Sequence, residues 1–422
     1  MIGGKVFDEV NGESLPFANV IVVGSSVGVS TDLEGLFELK GLQPGLYTLS
    51  FTFVGYDEVR VPEVRVTNNT PAYLNVGMKA NSTTIGEAVV KPSVFTRSND
   101  SPVSLRTLGI SEIERSPGAN RDISKVIGSL PGVAQGVAFR NDLIIRGGGP
   151  SENRFYIEDI ETPNINHFAT QGASGGPVGM IDVNYVREVD FFSGAFQANT
   201  GNALSSVLRV KYKSPRNDRT GFRLTLGASD FGLGAEGPIG SQGNFIVSAR
   251  RSYLQLLFAA LELPFLPTYN DLQYKVNWKL SNGDEVYTIF LGAFDVNALN
   301  LDANETEQQR YILSYLPEQD QWNYTNGYVY KRFVDNGYDL FVFSRNVLNN
   351  VQTKYQDNIE SEENTILKYR STESENKGRY ENIRQWGEYR VSTGVGYEYA
   401  AYEIENSNTI STPTGPLEIN FQ

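Results

Sequence analysis

The chain has 422 residues, 36 Lys and Arg against 49 Asp and Glu, a formal net charge of −13, one histidine and no cysteine. That length leaves room for two to four domains and for a core that needs no disulfide or metal staple. Thiol catalysis, Cys-based zinc sites and multi-His metal centres are excluded, a conventional acid–base enzyme is a poor fit, and the acidity argues against a nucleic-acid partner.

Forty-one Gly, 23 Tyr and 23 Phe beside 3 Met favour strands and turns over helices. No segment offers the ~18–20 apolar residues of a membrane helix. A membrane β-barrel would not show that signal, because its strands alternate apolar and polar. Met1-Ile2-Gly3-Gly4 runs directly into strand-like sequence, so the chain is either cytosolic or has lost a secretory leader.

Strand candidates come first at Lys5–Phe7, Ala18–Val23, Gly28–Thr31, Leu36–Leu39, Tyr47–Phe53, Glu58–Val66 and Ala72–Val76. Asn11-Gly12, Asp32–Gly35, Gln43-Pro44-Gly45 and Asn68-Asn69 punctuate them. Seven short strands at this spacing predict an antiparallel sandwich over residues 1–80. Gly4, Pro16–Val20, Thr31-Asp32, Gly35, Phe37, Pro44-Gly45, Tyr47 and Gly55-Tyr56 make this segment resemble the carboxypeptidase-regulatory-like domain. The resemblance implies an accessory module, not a peptidase, of the kind found ahead of outer-membrane receptors of Bacteroidetes-type bacteria.

Residues 81–100 are polar and loop-forming, and read as a linker. Within it Ile85, Gly86, Glu87, Ala88, Val89 and Val90 form one strand-like hexamer. The bland reading is a chance run of β-formers. The sharper one rests on likeness to the box of TonB-dependent receptors. There a TonB-type periplasmic energy-coupling protein pairs with the segment as an added strand.

Over residues 101–215, Ser111-x-x-Glu114 predicts a capping box and Asn120 a second helix cap. Ile123, Val126, Ile127 and Leu130 follow helical spacing until Pro131-Gly132. Strands are expected at Leu143–Arg146, Arg154–Ile157, Val186–Phe192 and Ser206–Tyr212. Gly147-Gly148-Gly149-Pro150 lacks the Lys and the following helix of a phosphate loop, and reads as a tight turn. His167 is expected to be a hydrogen-bonded structural residue rather than a ligand, and no neighbour in sequence suggests that its titration is used.

Asp122-Ile123 through Leu130-Pro131-Gly132-Val133, Ile144–Gly149, Phe155–Ile160, Val186–Asp190 and Gly201–Val207 resemble, in order, the plug of TonB-dependent receptors. Arg146, Gly147, Gly148 and Asp159 are the plug-motif residues. Asp159 stands where the family pattern has Gly and Glu158 where it has Asp, so this turn departs locally.

Clean alternation returns in 222–228, 274–281 and 390–401, with further strand candidates at Asn244–Arg250, Glu285–Phe294, Gly327–Val334 and Tyr338–Val347. Periodicity alone cannot separate a soluble sheet from a membrane barrel; the preceding plug favours the barrel. Asp302–Gln309 and Gln356–Lys377 read as long extracellular loops, and Leu254–Leu266 as a short helix or irregular excursion. Residues 216–422 hold roughly 8–10 strands at ~9–11 residues each. A barrel that small cannot hold a plug, so the expectation is the first part of a larger receptor.

The expected fold class is therefore mostly β: an antiparallel sandwich, an α+β plug and antiparallel transmembrane β-barrel strands. The resemblance implies an outer-membrane transporter, not an enzyme, with its N-terminal domain in the periplasm. No cofactor or metal is called for. Its partners would be the energy-coupling protein and outer-membrane lipid; a surface lipoprotein lid fits the family, although no residue here shows it. The alternative is a non-transporting surface or secretion component on the same scaffold.

Overall fold

The computed structural model describes residues 1–68, 70–81, 104–136, 140–173, 175–387, 389–412 and 415–421.

Seven strands build the first domain: β1 (Ile2–Asp8), β2 (Asn19–Val22), β3 (Gly28–Ser30), β4 (Leu36–Leu39), β5 (Gly45–Thr52), β6 (Val59–Val66) and β7 (Ala72–Met78). They form two sheets, ordered β4-β1-β7 and β3-β2-β5-β6. Alternate residues point inward, so Val20, Val22, Leu49 and Phe51 meet Ile2, Val6, Phe37 and Met78 in a closed core. One pairing departs from the expected pattern, because β1 and β7 run parallel. Gly35 sits at φ 76 with its absent Cβ only 2.5 Å from the Val6 carbonyl, so no other residue fits this turn.

The second domain contains β8 (Leu105–Gly109), α1 (Ile110–Arg115), α2 (Ile123–Gly128), β9 (Val133–Gln135), β10 (Leu143–Ile145), β11 (Asn153–Ile157), β12 (Ile160–Thr162), β13 (Asn166–His167), β14 (Val178–Gly179), β15 (Val186–Phe192) and β16 (Ser206–Tyr212). Its main sheet runs β12-β11-β16-β15-β8, with β11 and β16 parallel. Ile123, Val126, Ile127 and Leu130 are all buried, as their spacing requires.

Both helix starts differ from the sequence reading. Ser111 lies inside α1, whose N-cap is Gly109 without a side-chain cap. The Ser111 amide instead donates to Glu63 Oε2 of the sandwich, at 3.0 Å. Asn120 sits at φ 48, and Asp122 caps α2 by accepting from the Ser124 and Lys125 amides. A cap chosen across domains leaves no local pattern to read.

The remaining chain forms one ten-stranded sheet in which sequence neighbours are spatial neighbours. Its strands are β17 (Gly221–Leu226), β18 (Asp230–Ile239), β19 (Gly243–Ser252), β20 (Phe265–Lys279), β21 (Glu285–Leu299), β22 (Glu318–Val334), β23 (Gly337–Tyr355), β24 (Thr365–Trp386), β25 (Tyr389–Thr412) and β26 (Gly415–Phe421). All pairs are antiparallel. Short turns close one end of the sheet, while α3 (Leu254–Ala260) and α4 (Glu307–Tyr315) lie in connections at the other. Most of Gln356–Lys377, expected as a loop, is strand: β24 begins at Thr365. β18 was hidden by Gly232, Gly234 and Gly237, which break the apolar alternation.

This wall is inverted relative to a soluble sheet. Phe222, Leu224, Leu226, Phe343, Val395 and Tyr397 are exposed on the outside. Asp271, Gln273, Asp295, Gln321, Asn346 and Ser371 are buried on the inside, against the second domain. Apolar-out and polar-in is the pattern of a membrane barrel.

Candidate functional site: the anchors between plug and wall

The β11–β12 hairpin turns on two residues, Glu158 and Asp159, and Ile157 pairs with Ile160. Glu158 holds φ 56, a left-handed conformation uncommon for Glu. Tertiary contacts on every side offset that strain. The Glu158 amide donates to the Val210 carbonyl at 2.9 Å. Glu158 Oε1 accepts from the Tyr212 amide at 3.0 Å and from Lys275 Nζ of the wall at 2.6 Å. The Tyr287 hydroxyl donates to Asp159 Oδ2 at 2.5 Å, and Arg379 donates to the Asp159 carbonyl at 2.9 Å. Glu161 pairs with Lys377 at 2.9 Å. Carboxylates at the turn, where the family pattern has Asp and Gly, thus reach two wall side chains, Lys275 and Tyr287, while the Asp159 carbonyl and Glu161 take two more, Arg379 and Lys377.

Behind the tip, Ile160 fills the space left by Gly327, where a Cβ would stand 2.3 Å from Ile160 Cδ1. Tyr185 uses Gly234 the same way, its hydroxyl 2.0 Å from the position of a Cβ. Gly327→Val is expected to unseat the plug by about 1–3 kcal/mol through overpacking. Thermal unfolding of the purified protein checks it; a shift equal to that of an outward-facing Gly378→Val control would remove the steric argument.

Arg146, Gly147 and Gly148 occupy the turn after β10 and serve packing within the plug. Gly147 is at φ 85, and a Cβ on Gly148 would lie 1.7 Å from Ser205 Oγ. Arg146 donates to Ser193 Oγ at 3.2 Å. Of the plug-motif residues that the sequence singles out, Asp159 is the one placed on the wall. The hexamer Ile85–Val90 lies outside the described residues.

His167 is the second anchor. Its Nδ1 is 2.7 Å from Asp295 Oδ1 and its Nε2 3.0 Å from Asp271 Oδ2, with all three side chains fully buried. Carboxylates only accept, so both ring nitrogens carry protons and the ring is an imidazolium. Burial alone would push the imidazole down; the Asp295 charge and the hydrogen bonds to Asp271 and Asp295 outweigh it and raise it to about 9. Arg250 completes the row, 2.8 Å from Asp271 Oδ2, and donates to the Gly179 and Met180 carbonyls at 3.0 and 2.6 Å. Two cations and two carboxylates balance. Asp295 also accepts from the Phe168 amide at 2.7 Å, and the Tyr269 ring stacks on the imidazole at 4.3 Å. The row pins β13 and β14 of the plug to β19, β20 and β21. The histidine is hydrogen-bonded and structural, as expected, but its partners lie 104 and 128 positions away, and nothing local announces them.

Smaller contacts complete the seat. Ser248 donates to Asp182 Oδ2 at 2.7 Å, Gln321 to the Ala169 carbonyl at 2.6 Å, and Ser371 to Gln171 Oε1 at 2.7 Å. On the short-turn side the sandwich docks through Arg65 and Glu114, with Arg121 3.2 Å from the same carboxylate. Burial raises the Glu114 carboxyl, and the Arg65 hydrogen bond and charge more than offset it, leaving a net shift below the usual range. Phe333, at the end of β22, packs on Gly12 of the sandwich.

Comparisons with known proteins agree with this architecture. Residues 2–90 match the CarboxypepD_reg-like domain and residues 97–207 the TonB-dependent Receptor Plug Domain. A TonB-dependent receptor of Formosa agariphila is 32% identical over 137 residues, which are 32% of this chain and 12% of that protein. A ferric enterobactin receptor variant of Pseudomonas aeruginosa superposes with a TM-score of 0.51 at 14% identity, over 74% of this chain and 51% of the receptor. The siderophore receptor of Acinetobacter baumannii gives 0.51 at 12% identity, over 73% and 49%. The chain thus spans about half the length of these solved receptors and about an eighth of the curated one. It carries a CarboxypepD_reg-like domain and a TonB-dependent receptor plug domain, and the plug sits against a wall with the fold of those siderophore receptors.

Proposed function

We propose that this chain belongs to an energy-coupled outer-membrane transporter, with four parts: the sandwich at 1–80, a linker at 81–100, the plug at 101–215 and barrel strands at 216–422. The observation that carries the reading is a plug held, by polar anchors and a shared apolar core, on the inner face of a wall whose outer face is apolar. Beside the packing of Ile160 on Gly327, its anchors are hydrogen bonds and ion pairs, which can break and reform without chemistry on a substrate. The apolar outer face meets lipid. The short-turn end, where the sandwich docks, faces the periplasm, and the long connections face outside.

In this reading the linker hexamer Ile85–Val90 recruits a TonB-type protein as an added strand, and its pull works against the anchors at Glu158–Asp159 and His167. Deleting Ile85–Val90 in the full-length protein is expected to abolish substrate accumulation while leaving surface binding intact. Unchanged uptake by the deletion strain would sink the coupling role of the hexamer. Uptake insensitive to collapse of the proton gradient would favour the non-transporting alternative.

A further inference from the structure

The middle of the wall's outward face is uncharged with one exception. Strand register sets the outward side chains in rows across the sheet, because alternate residues share a face. Four successive rows run from the one through Trp278, Val286 and Tyr330 to the one through Leu272, Gly292 and Tyr324. They cover the centre of the ~9–11 residues with which a strand crosses a membrane. Across β17–β25 these rows hold one charged side chain, Arg345. It stands in the row of Phe290, Asn326 and Asn376, in the half nearer the long connections.

Arg345 is exposed, and its guanidinium finds only neutral partners. Nε donates to the Tyr324 hydroxyl at 3.2 Å and Nη1 to Asn376 Oδ1 at 2.8 Å. Nη2 has no acceptor, and the side chain no ion pair, among the described residues. A lone guanidinium on a lipid-facing surface is costly unless an anion meets it. On its short-turn side opens a groove of about 510 Å³. Tyr328, Phe343, Gly378 and Tyr397 stand in one row along it. The three rings are exposed, and Gly378 leaves a gap between Phe343 and Tyr397. A Cβ there would come no closer than 3.7 Å to the Phe343 ring, so the gap is open.

We propose that Arg345 and this groove form a site for one phosphate-bearing anionic lipid of the outer leaflet. The guanidinium fork pairs with the phosphate. An acyl chain runs from it toward the short-turn end, over Gly378 and between Phe343 and Tyr397. Cation on the outer side and apolar groove on the inner side is the order that a lipid with its head outward requires. A free anion has no use for the groove, and a zwitterionic headgroup brings its own cation. The site rests on the membrane reading proposed above.

The test is native mass spectrometry of the delipidated full-length protein in dodecyl maltoside, titrated with dimyristoyl phosphatidylglycerol or dimyristoyl phosphatidylcholine. One phosphatidylglycerol per chain is expected to bind at least tenfold more tightly than phosphatidylcholine. Arg345→Gln should abolish that preference, and Arg345→Lys should keep most of it. Gly378→Leu should weaken both lipids severalfold by filling the groove. Arg251→Gln, at an exposed outward arginine that donates to Asn270 away from the groove, should change neither. Equal affinity for the two lipids, an unchanged preference in Arg345→Gln, or displacement of the lipid by inorganic phosphate would overturn the site. So would a lipid-free dimer broken by Arg345→Gln, which would assign the face to a second copy. A chain that stays soluble without detergent would overturn the membrane reading itself; a detergent-dependent chain without lipid preference overturns the site alone.

Discussion

A His167→Ala variant should seat its plug less firmly than the native chain by about 3–5 kcal/mol near neutral pH, the usual cost of removing one member of a buried ion pair. Asp271 keeps Arg250, but Asp295 is left buried with the Phe168 amide as its main remaining donor. The native chain should also depend on pH in a definite direction. The imidazole is raised from 6.5 to about 9. Its contribution is therefore complete below about pH 6.5 and is lost as pH rises through about 9; the shift corresponds to about 3 kcal/mol. Hydrogen exchange of the amides between Asn164 and Met180, followed from pH 6 to pH 10 after correction for intrinsic rates, reads both effects. Protection that is flat in the native chain, or that falls equally in the alanine variant, would show that the ring does not hold the plug.

Asp122→Ala is expected to cost the plug about 3–5 kcal/mol, at the exceptional end for a point substitution. One carboxylate serves four donors. Asp122 Oδ1 accepts from the Ser124 and Lys125 amides at 2.9 and 3.4 Å, and Oδ2 from Asn141 Nδ2 and the Gly179 amide, both at 2.8 Å. Losing the helix cap accounts for about 1 kcal/mol. Each buried donor left unpaired adds about 1–3 kcal/mol. Asp122→Asn keeps one acceptor oxygen and should recover part of the loss. Thermal unfolding with limited proteolysis measures this; a loss below about 1 kcal/mol for alanine would mean that water replaces the carboxylate, against its burial in the plug.

Legibility tracked how local the physical cause was. The sandwich strands, the apolar stripe of α2 and strands such as Val186–Phe192 answer to periodicity and turn residues, and could be read directly. β24 could not. Its polar residues from Thr365 to Lys377 look like a loop until the inner face of a wall gives them polar partners, as Glu161 of the plug does for Lys377 and Gln171 for Ser371. The caps failed for a related reason: Ser111 is served by Glu63 of another domain, and Asp122 displaces Asn120 because its carboxylate also satisfies Asn141 and Gly179.

By itself the sequence determined the predominance of strands, the order of sandwich, plug and wall, and the absence of thiol and multi-His chemistry. These follow from composition, spacing and ordered motifs, which need no knowledge of what touches what. Only the tertiary structure decided which face of the wall is polar, that Glu158 and Asp159 grip it, and that the single histidine is an imidazolium between two carboxylates. Those outcomes depend on groups more than a hundred positions apart meeting in a buried space, where a lone charge is costly and a matched one holds.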